Sequence, residues 1–349
     1  MRKICFPLIL ILLLCSCKKE DINNDRFIAY IGIADNNYGE VYICNRDGSD
    51  SRLISQVGAK NLSDADYSPE FSPDGSKVKF RGFDFMLRVY DLSSNSLINI
   101  EKAFASAWSS DSKKIAYVKT TDTERQLYIT NADGTGQQQL TSYRYWEADT
   151  AIVFNGLAWH PDENVIITRA GVDKINNPGS YLVKIHPQSG KVVSMYPLNF
   201  SEKFTLHGNK ITWADGDTVF IHDLISKNTT HFVATGESPK NPVFSPDGSR
   251  VAYTIDREYQ NLENGQYVTR YCTDIVTRNL NGYDKRVLTV LEKIPDNTKA
   301  KSSFYPFWLS NSELLYSAGN IYKVTDDVSP SVSIIGNNLQ AYGQLQANF

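Results

Sequence analysis

The sequence predicts an all-β fold, a β-propeller built from four-stranded antiparallel blades. The phrase FSPDG occurs twice, within FSPDGSKVKF at residues 71–80 and within FSPDGSRVAY at residues 244–253. In both copies an aromatic residue precedes a tight Ser-Pro-Asp-Gly turn and an alternating apolar strand. Weaker copies open at Trp108, Trp159, Phe204 and Trp308. A phrase that recurs at this scale indicates a repeat architecture.

The spacing of the opening aromatic residues predicts seven blades. From Phe71 to Phe349 the openings lie about 46 residues apart, which is the size of one four-stranded blade. The first strands, FIAYIG and EVYICN, lack an opening phrase. We therefore predict that residues 341–349 supply the inner strand of the first blade, so that the N- and C-terminal strands pair and close the ring. Six and eight blades are the alternatives.

The Ser-Pro-Asp-Gly phrase, with its aromatic residue before and its apolar strand after, resembles the TolB-type, WD-like β-propeller repeat. The resemblance extends over residues 27–349, although six blades is the common number in that family. The family includes propellers attached to serine-peptidase domains. This sequence has no Gly-x-Ser-x-Gly motif, so the resemblance does not extend to that enzyme.

Composition agrees with a single packed domain that does not bind nucleic acid. Hydrophobic residues make up 41% and charged residues 21% of the chain, and the formal net charge is -3. Beyond the first three residues, no Lys/Arg cluster is dense enough to follow a phosphate backbone. We expect a monomeric propeller over residues 27–349.

The N-terminus predicts a lipoprotein signal peptide over residues 1–16. Arg2 and Lys3 precede a short apolar run, and the run ends in Leu14-Cys15-Ser16-Cys17, which resembles a bacterial lipobox. Cys17 is then the lipid attachment site, and residues 17–26 form a polar tether to the membrane. The residues after Cys17 resemble an outer-membrane sorting signal, with either the periplasmic or the cell-surface side open. A plain signal peptide is the alternative.

Cysteine, histidine and aspartate patterns predict structure rather than chemistry. Cys44 and Cys272 fall in strands of non-adjacent blades, which favours two separate buried thiols over a disulfide. The five histidines fall in turns and strands that do not converge, so we expect neither a metal nor a cofactor. The aspartates of the repeated turns are expected to cap their own backbone. They are Asp74, Asp111, Asp162 and Asp247.

The connections between strands divide into two faces. Successive turns of a meander alternate between its two ends, so all the tight turns fall on one face and all the long connections on the other. Long connections on a rigid scaffold are where binding residues usually lie. The predicted long connections are Gln56 to Glu70, Lys119 to Arg125, Ser142 to Gly156, Gly171 to Gly179, Asp256 to Arg270 and Leu291 to Tyr305.

These patterns favour a lipid-anchored, non-enzymatic envelope protein that binds a protein or glycan through the long-loop face. Trp146 is the one tryptophan in a long connection, and its neighbours Tyr143, Arg144 and Tyr145 are residue types enriched in binding sites. Tyr259 and Tyr267, in the connection of the sixth blade, extend the candidate site. The alternative for the Trp146 loop is a plug over the channel mouth.

The alternative function is an envelope lyase or hydrolase with its site in the central funnel. Carboxylates from several blades, converging there with perturbed pKa values, would favour the enzyme. An apolar or aromatic face without such a cluster would favour binding.

Overall fold

The computed structural model describes residues 27–33, 39–55, 68–82, 84–120, 125–142, 151–173, 179–201, 203–263, 265–289, 304–318, 320–335 and 341–347. These residues form seven four-stranded antiparallel sheets, which confirms the all-β propeller and the prediction of seven blades. In this part of the chain, no helix is long and apolar enough to cross a bilayer.

The first three blades take strands in chain order, except that the last strand of the chain joins the first blade. Blade 1 contains β28 (Ala341–Ala347), β1 (Phe27–Ile33), β2 (Gly39–Asn45) and β3 (Arg52–Leu53). Blade 2 contains β4 (Glu70–Phe71), β5 (Lys77–Arg81), β6 (Met86–Asp91) and β7 (Ser96–Lys102). Blade 3 contains β8 (Ser106–Trp108), β9 (Lys114–Thr120), β10 (Arg125–Asn131) and β11 (Gln138–Gln139).

The remaining four blades are simple meanders. Blade 4 contains β12 (Ala151–Trp159), β13 (Ile166–Asp173), β14 (Gly179–Ile185) and β15 (Val192–Pro197). Blade 5 contains β16 (Thr205–His207), β17 (Lys210–Asp215), β18 (Thr218–Asp223) and β19 (Thr229–Val233). Blade 6 contains β20 (Lys240–Phe244), β21 (Arg250–Glu263), β22 (Gln266–Asn279) and β23 (Arg286–Val287). Blade 7 contains β24 (Phe304–Ser310), β25 (Glu313–Ser317), β26 (Ile321–Thr325) and β27 (Val332–Ile335).

The two ends of the propeller domain pair with each other, as the sequence predicted. Strand β28 runs antiparallel to β1, with Ile28 opposite Ala347 and Gly32 opposite Ala341. The side chain of Gln346 also accepts a hydrogen bond of 2.6 Å from the amide of Phe71 in blade 2. The last strand therefore completes blade 1 and joins it to the next blade. Phe349 lies outside the described residues.

The hydrophobic core lies between the blades. Seven clusters of buried side chains are present among the described residues, and each joins two neighbouring blades. A four-stranded sheet can bury both faces only against neighbouring sheets, so this arrangement is what a ring of blades requires. Five of the opening aromatic residues belong to this core and are between 4% and 9% exposed. They are Phe71, Trp108, Trp159, Phe244 and Trp308.

Two of these tryptophans also link blades by hydrogen bonds. The indole nitrogen of Trp108 donates to the carbonyl of Glu70 in blade 2 at 3.2 Å. The indole nitrogen of Trp308 donates to the carbonyl of Val243 in blade 6 at 3.3 Å. Each indole ring thus contributes buried apolar area, and its one polar atom is hydrogen-bonded to the innermost strand of the preceding blade.

Aromatic pairs join the second and third strands of alternate blades. Four cross-strand pairs stack with ring centroids 5.1 to 5.6 Å apart and interplanar angles of 9° to 25°. Each pair joins residues directly opposite in the ladder, where side chains of one sheet face interact most strongly. The pairs are Tyr30 with Tyr42, Tyr117 with Tyr128, Trp213 with Phe220, and Tyr316 with Tyr322.

The repeated turns are held by aspartate side chains. One carboxylate oxygen of Asp247 accepts hydrogen bonds from the Ser245 hydroxyl at 2.6 Å and from the Ser249 amide at 3.0 Å. Asp74 and Asp111 make the same contacts in blades 2 and 3. The prediction of turn-capping aspartates is confirmed at these three positions.

The turn of blade 4 is different, and the prediction for Asp162 is wrong. The buried ring of His160 takes the capping role, because its Nδ1 accepts hydrogen bonds from the amides of Asp162 and Glu163. Its Nε2 lies 2.9 Å from the side-chain oxygen of Asn209 in blade 5. In the described part of the chain, the exposed carboxylate of Asp162 makes no hydrogen bond. His160 is therefore a structural histidine.

Deleting residues 341–349 should severely destabilise the protein. The deletion removes a whole inner strand, exposes the edge of β1 and leaves the Phe71 amide without its acceptor. Thermal unfolding measures the effect, and Gln346→Ala, which keeps the strand, is the matched control and should lower the melting temperature much less. A truncated protein that melts within about a degree of the full-length chain would contradict closure by the chain ends.

Replacing Asp247 with alanine should cost about 1 kcal/mol of stability, as loss of a turn or cap acceptor does, whereas Asp162→Ala should be close to neutral. The Ser245 hydroxyl and the Ser249 amide hold the pKa of Asp247 below its usual value. The contribution of the carboxylate is therefore complete at neutral pH and is lost as the pH falls below about 4 towards the folded-state pKa. Denaturant unfolding at several pH values measures both variants. Equal losses for the two would contradict the assignment.

Candidate functional site

The connections between strands give the ring two unlike faces. On one, called the turn face, each connection between described strands has at most six residues. On the other, called the loop face, two connections between blades have 16 residues each, at 54–69 and 288–303, and a third has 11, at 140–150. Every connection of more than six residues between described strands lies on the loop face, as predicted, but three of the six predicted long connections are shorter than that.

Several of the predicted long connections are shortened by strands. Lys119 to Arg125 leaves four residues between β9 and β10, and Gly171 to Gly179 leaves five between β13 and β14. Residues 151–156 belong to β12 and residues 171–173 to β13. The largest correction is in blade 6, where the predicted connection Asp256 to Arg270 is a hairpin. There β21 continues to Glu263 and β22 begins at Gln266. Two residues, Asn264 and Gly265 in the sequence, separate the paired Glu263 and Gln266, and Gly265 has the positive φ of 81° that suits a two-residue hairpin turn.

This hairpin extends beyond its blade as a two-stranded arm. Strand β20 pairs with β21 no further than Thr254, and β23 pairs with β22 only at Val276 and Thr277. The pairing of β21 with β22 continues from there to the tip, where Glu263 lies opposite Gln266. We call residues 255–274 the arm. In the described part of the chain, no third strand pairs with it.

Polar contacts hold the base of the arm to the blade. Asp256 pairs with Lys240 of β20 at 2.5 Å, and Arg257 pairs with the buried Asp274 at 2.8 Å. Burial raises the pKa of Asp274, although the charge of Arg257 and a hydrogen bond from Thr289 act in the opposite direction. The base is thus packed and paired, while the residues nearer the tip depend on their own ladder.

Only part of the predicted binding site lies among the described residues. Tyr267 lies near the tip of the arm and is 76% exposed. Tyr267 is opposite Leu262 in the ladder and Tyr259 is opposite Arg270. By this register, positions 259 and 267 fall on opposite faces of the ladder.

The other predicted site residues are not described. Tyr143, Arg144, Tyr145 and Trp146 lie outside the described residues, as does the predicted lipid site Cys17. Cys44 is a free, buried thiol, as predicted. Burial raises the pKa of that thiol to about 12, so it is not a reactive nucleophile at neutral pH. The side chain of Cys272 lies outside the described residues.

A central channel with a cavity of about 630 Å³ passes between the first strands of the blades. A volume of this size is in the range of small-ligand sites. Three of the lining strands bulge at a residue of positive φ, with φ of 65° at Gly156, 52° at Asn241 and 47° at Tyr305. A positive φ at a bulky residue such as Tyr305 is strained and marks a local constraint.

The described lining of the channel combines apolar with polar and charged side chains. Glu70 pairs with Lys79 at 2.5 Å, and the Lys79 ammonium also lies 3.2 Å from the carbonyl and hydroxyl of Ser106. Among the described lining residues, Glu70 is the single carboxylate and His207 the single histidine. The set of converging carboxylates that would favour an enzyme is therefore not present in the described part of the channel.

The remaining histidines have structural contacts or lie at the surface. His222 is buried, with the Tyr196 hydroxyl 2.8 Å from Nε2 and the Thr229 hydroxyl 2.9 Å from Nδ1. Burial lowers the pKa of His222, with the nearby Asp223 acting in the opposite direction. Among the described residues, no group of three or more His, Cys, Asp or Glu side chains could hold a metal ion.

The sequence matches the TolB beta propeller domain family over residues 25–261. A comparison with curated proteins found no match. Among solved structures, TolB from Acinetobacter baumannii is 14% identical, with 92% of this chain and 65% of that chain covered and a TM-score of 0.45. A prolyl endopeptidase is 11% identical, with 93% and 49% covered and a TM-score of 0.56. Dihydro-heme d1 dehydrogenase NirN is 13% identical, with 94% and 78% covered and a TM-score of 0.54.

The likenesses to the prolyl endopeptidase and to NirN show a shared fold alone. This chain spans less than two thirds of the TolB chain and about half of the prolyl endopeptidase chain. The family match, by contrast, covers more than half of the present sequence and includes the repeats from which the blades are built. The protein therefore belongs to the TolB beta propeller domain family.

Proposed function

We propose that this protein is a lipid-anchored, non-enzymatic binding protein of the cell envelope, which holds a protein or glycan partner on its loop face. Membership of the TolB-type family supports a binding or scaffold role in general. The observation that carries the proposal is the unequal pair of faces. The turn face has only short connections, whereas the loop face carries long connections and the arm.

The loop face has the physical properties of a recognition surface. The inter-blade cores and the terminal pairing give a stiff ring, and connections on a stiff ring present side chains at little entropic cost. Tyr267 is exposed at the arm. The connection at residues 140–150 also belongs to the loop face, and its sequence from Tyr143 to Trp146 contains aromatic rings and a guanidinium. Such groups stack on sugar rings and form the hot spots of protein interfaces.

An enzyme of the central channel has less support. Some proteins of similar fold are enzymes, as the prolyl endopeptidase and NirN show for themselves. The described lining of this channel offers one carboxylate, and that carboxylate is paired with Lys79. General acid and base catalysis commonly uses two carboxylates that face one substrate, and the described lining places Glu70 in an ion pair rather than beside a second carboxylate.

The anchor is the other part of the proposal. The lipobox-like run ending at Cys17 follows an apolar segment too short to span a bilayer. The TolB-like relatives are periplasmic or envelope proteins, which is consistent with export. We place the protein on the outer membrane through a lipid on Cys17, facing the periplasm or the cell surface.

Replacing Cys17 with alanine should release the protein from the membrane fraction, because the acyl chains on that cysteine supply the membrane affinity. Fractionation of cells, together with the intact mass of the wild-type protein, measures the effect. Wild-type protein without a lipid mass, or a variant that stays with the membrane as the wild type does, would contradict the anchor.

Truncating aromatic residues of the loop face should weaken partner capture. With the Cys17→Ala chain as soluble bait and an envelope extract as the source, Trp146→Ala and Tyr267→Ala should each reduce the affinity for the captured partner. A hot-spot loss of about 2 kcal/mol corresponds to roughly thirtyfold weaker binding. The melting temperature of both variants should stay close to that of the parent.

Tyr283→Ala is the matched control for Tyr267→Ala. Tyr283 is 73% exposed but lies on the turn face, between β22 and β23. It should leave capture unchanged. Intact capture by Trp146→Ala together with a large loss of stability would make Trp146 a plug of the channel mouth. Equal losses of capture for Tyr267→Ala and Tyr283→Ala would contradict a site on the loop face.

A further inference from the structure

We propose that the turn face of blades 5 to 7 rests on the lipid surface that carries the anchor, so that the loop face points away from the membrane. This inference depends on the lipid on Cys17 proposed above. It adds a second contact with the membrane and an orientation, neither of which the anchor alone provides.

The exposed apolar side chains of the protein are concentrated in one arc. Of the eleven exposed large hydrophobic residues among the described residues, seven lie in the last turns or outer strands of blades 5, 6 and 7. One of them, Val233, ends β19 at the loop face, and the other six lie in the last turns or in the outer strands that follow those turns. We call these six the apolar rim. Its members, with their exposed fractions, are Ile225 (69%), Tyr283 (73%), Val287 (37%), Val328 (82%), Val332 (45%) and Ile334 (46%).

The positions of the most exposed members repeat from blade to blade. Ile225 lies between β18 and β19, Tyr283 between β22 and β23, and Val328 between β26 and β27. All three connections join the third and fourth strands of a blade, so all three side chains lie at the turn face. A row of exposed apolar groups at equivalent corners of three successive blades indicates a contact surface.

The equivalent turns of the other four blades are polar. Their exposed side chains come from Asp, Ser, Asn, Thr and Gln, in the turns 47–50, 93–95, 133–135 and 188–189. The repeat itself therefore does not require an apolar residue at this corner. Within these turns, an exposed large apolar residue is found only in blades 5 to 7 among the described residues, whereas the outer strands of blades 1 and 4 also expose Leu53 and Val193.

The carboxylates beside the rim are engaged by the protein itself. Asp223 accepts hydrogen bonds from the amides of Ile225 and Ser226, and Asp284 pairs with Arg250 and Arg286. Lys227, in the same turn as Ile225, is exposed. The rim thus offers apolar tips flanked by the Lys227 cation. Asp284 is exposed but paired with two arginines, and the exposed Asp327 accepts a hydrogen bond from the amide of Val328. Apolar tips beside a cation suit the interface of a membrane with anionic lipid.

The position at which the chain enters the propeller determines what can cover the rim. Phe27 lies opposite Asn45, at the end of the ladder where β2 leads into the turn that precedes β3. The tether therefore joins the ring at its turn face, in blade 1, which packs directly against blade 7. The membrane anchor and the apolar rim lie on the same face and in adjoining blades.

The tether is too short to reach the membrane comfortably from the other face. Nine residues separate Cys17 from Phe27, and the ten Cα–Cα steps of this tether span at most about 35 Å when fully extended. If the loop face lay on the bilayer, the tether would first have to pass outward over two strands, about 10 Å. It would then have to run the length of a seven-residue strand, about 23 Å, to reach the membrane. That route leaves almost no slack, whereas the turn face is reached at once.

The test places a fluorescent reporter on each face of the full-length, lipidated chain. Tyr283→Cys on the rim, Tyr267→Cys on the arm and Ser94→Cys in the polar turn of blade 2 are each labelled with an environment-sensitive dye, in a Cys272→Ser background. The proteins are reconstituted on vesicles of phosphatidylethanolamine and phosphatidylglycerol, with and without a lipid-borne nitroxide quencher.

We expect a blue shift and quenching at position 283 and neither at positions 267 and 94. In a chain that also carries Ile225→Ser and Val328→Ser, quenching at position 283 should fall. A label at position 283 that is no more quenched than the one at position 94, or stronger quenching at position 267, would overturn the inference.

The mass of Cys17 and flotation with the vesicles separate the two proposals. Absence of a lipid on Cys17 overturns the anchor and this inference together. A lipidated protein that floats with the vesicles while position 283 stays unquenched overturns only the inference, and the anchor stands.

Discussion

The structure depends on the pairing of β28 with β1. A ring of blades buries its cores only if every blade has a neighbour on both sides, so one missing strand would expose two interfaces. The cluster between blades 7 and 1 contains Ile28 from the first strand, Ala341 and Ala347 from the last, and Leu315 from blade 7. Residues more than 300 positions apart therefore complete one core, and the ends of the domain cannot separate without opening it.

Closure also explains why the two faces differ. At the turn face, short connections are held by side chains that accept from their own backbone, as Asp247 and His160 do. These turns carry the repeat, and substitutions there affect the fold. The connections of the loop face do not need such capping. The ring is closed by the pairing of β28 with β1, so it tolerates long connections there. The arm of blade 6 is the largest such addition, and it leaves the blade at the point where β20 and β23 stop pairing.

Much of the ring could be predicted from residues that recur. The opening aromatic residues gave the seven blades because each must fill the same space between sheets, and the unmatched first strand predicted closure. The arm was missed although its signal was present: Asn264-Gly265 lies between two segments of equal length rich in residues that favour strands. Reading that turn would also have shown that Tyr259 and Tyr267 lie on opposite faces.

Other features could not be predicted because they depend on which residues meet across the ring. The capping role of His160 depends on Asn209 in the next blade, and the ion pair of Glu70 with Lys79 depends on the inward direction of one strand position. The apolar rim is dispersed in the sequence between Ile225 and Ile334, and only the order of the blades places its members together.

Hydrogen exchange of the backbone amides tests the central claim most directly. If the chain ends close the ring, peptides covering β28 and β1 should exchange as slowly as those covering the inner strands of blades 3 and 6, since all open only with the ring. Rapid exchange throughout β28, with slow exchange in the other inner strands, would contradict closure by terminal pairing.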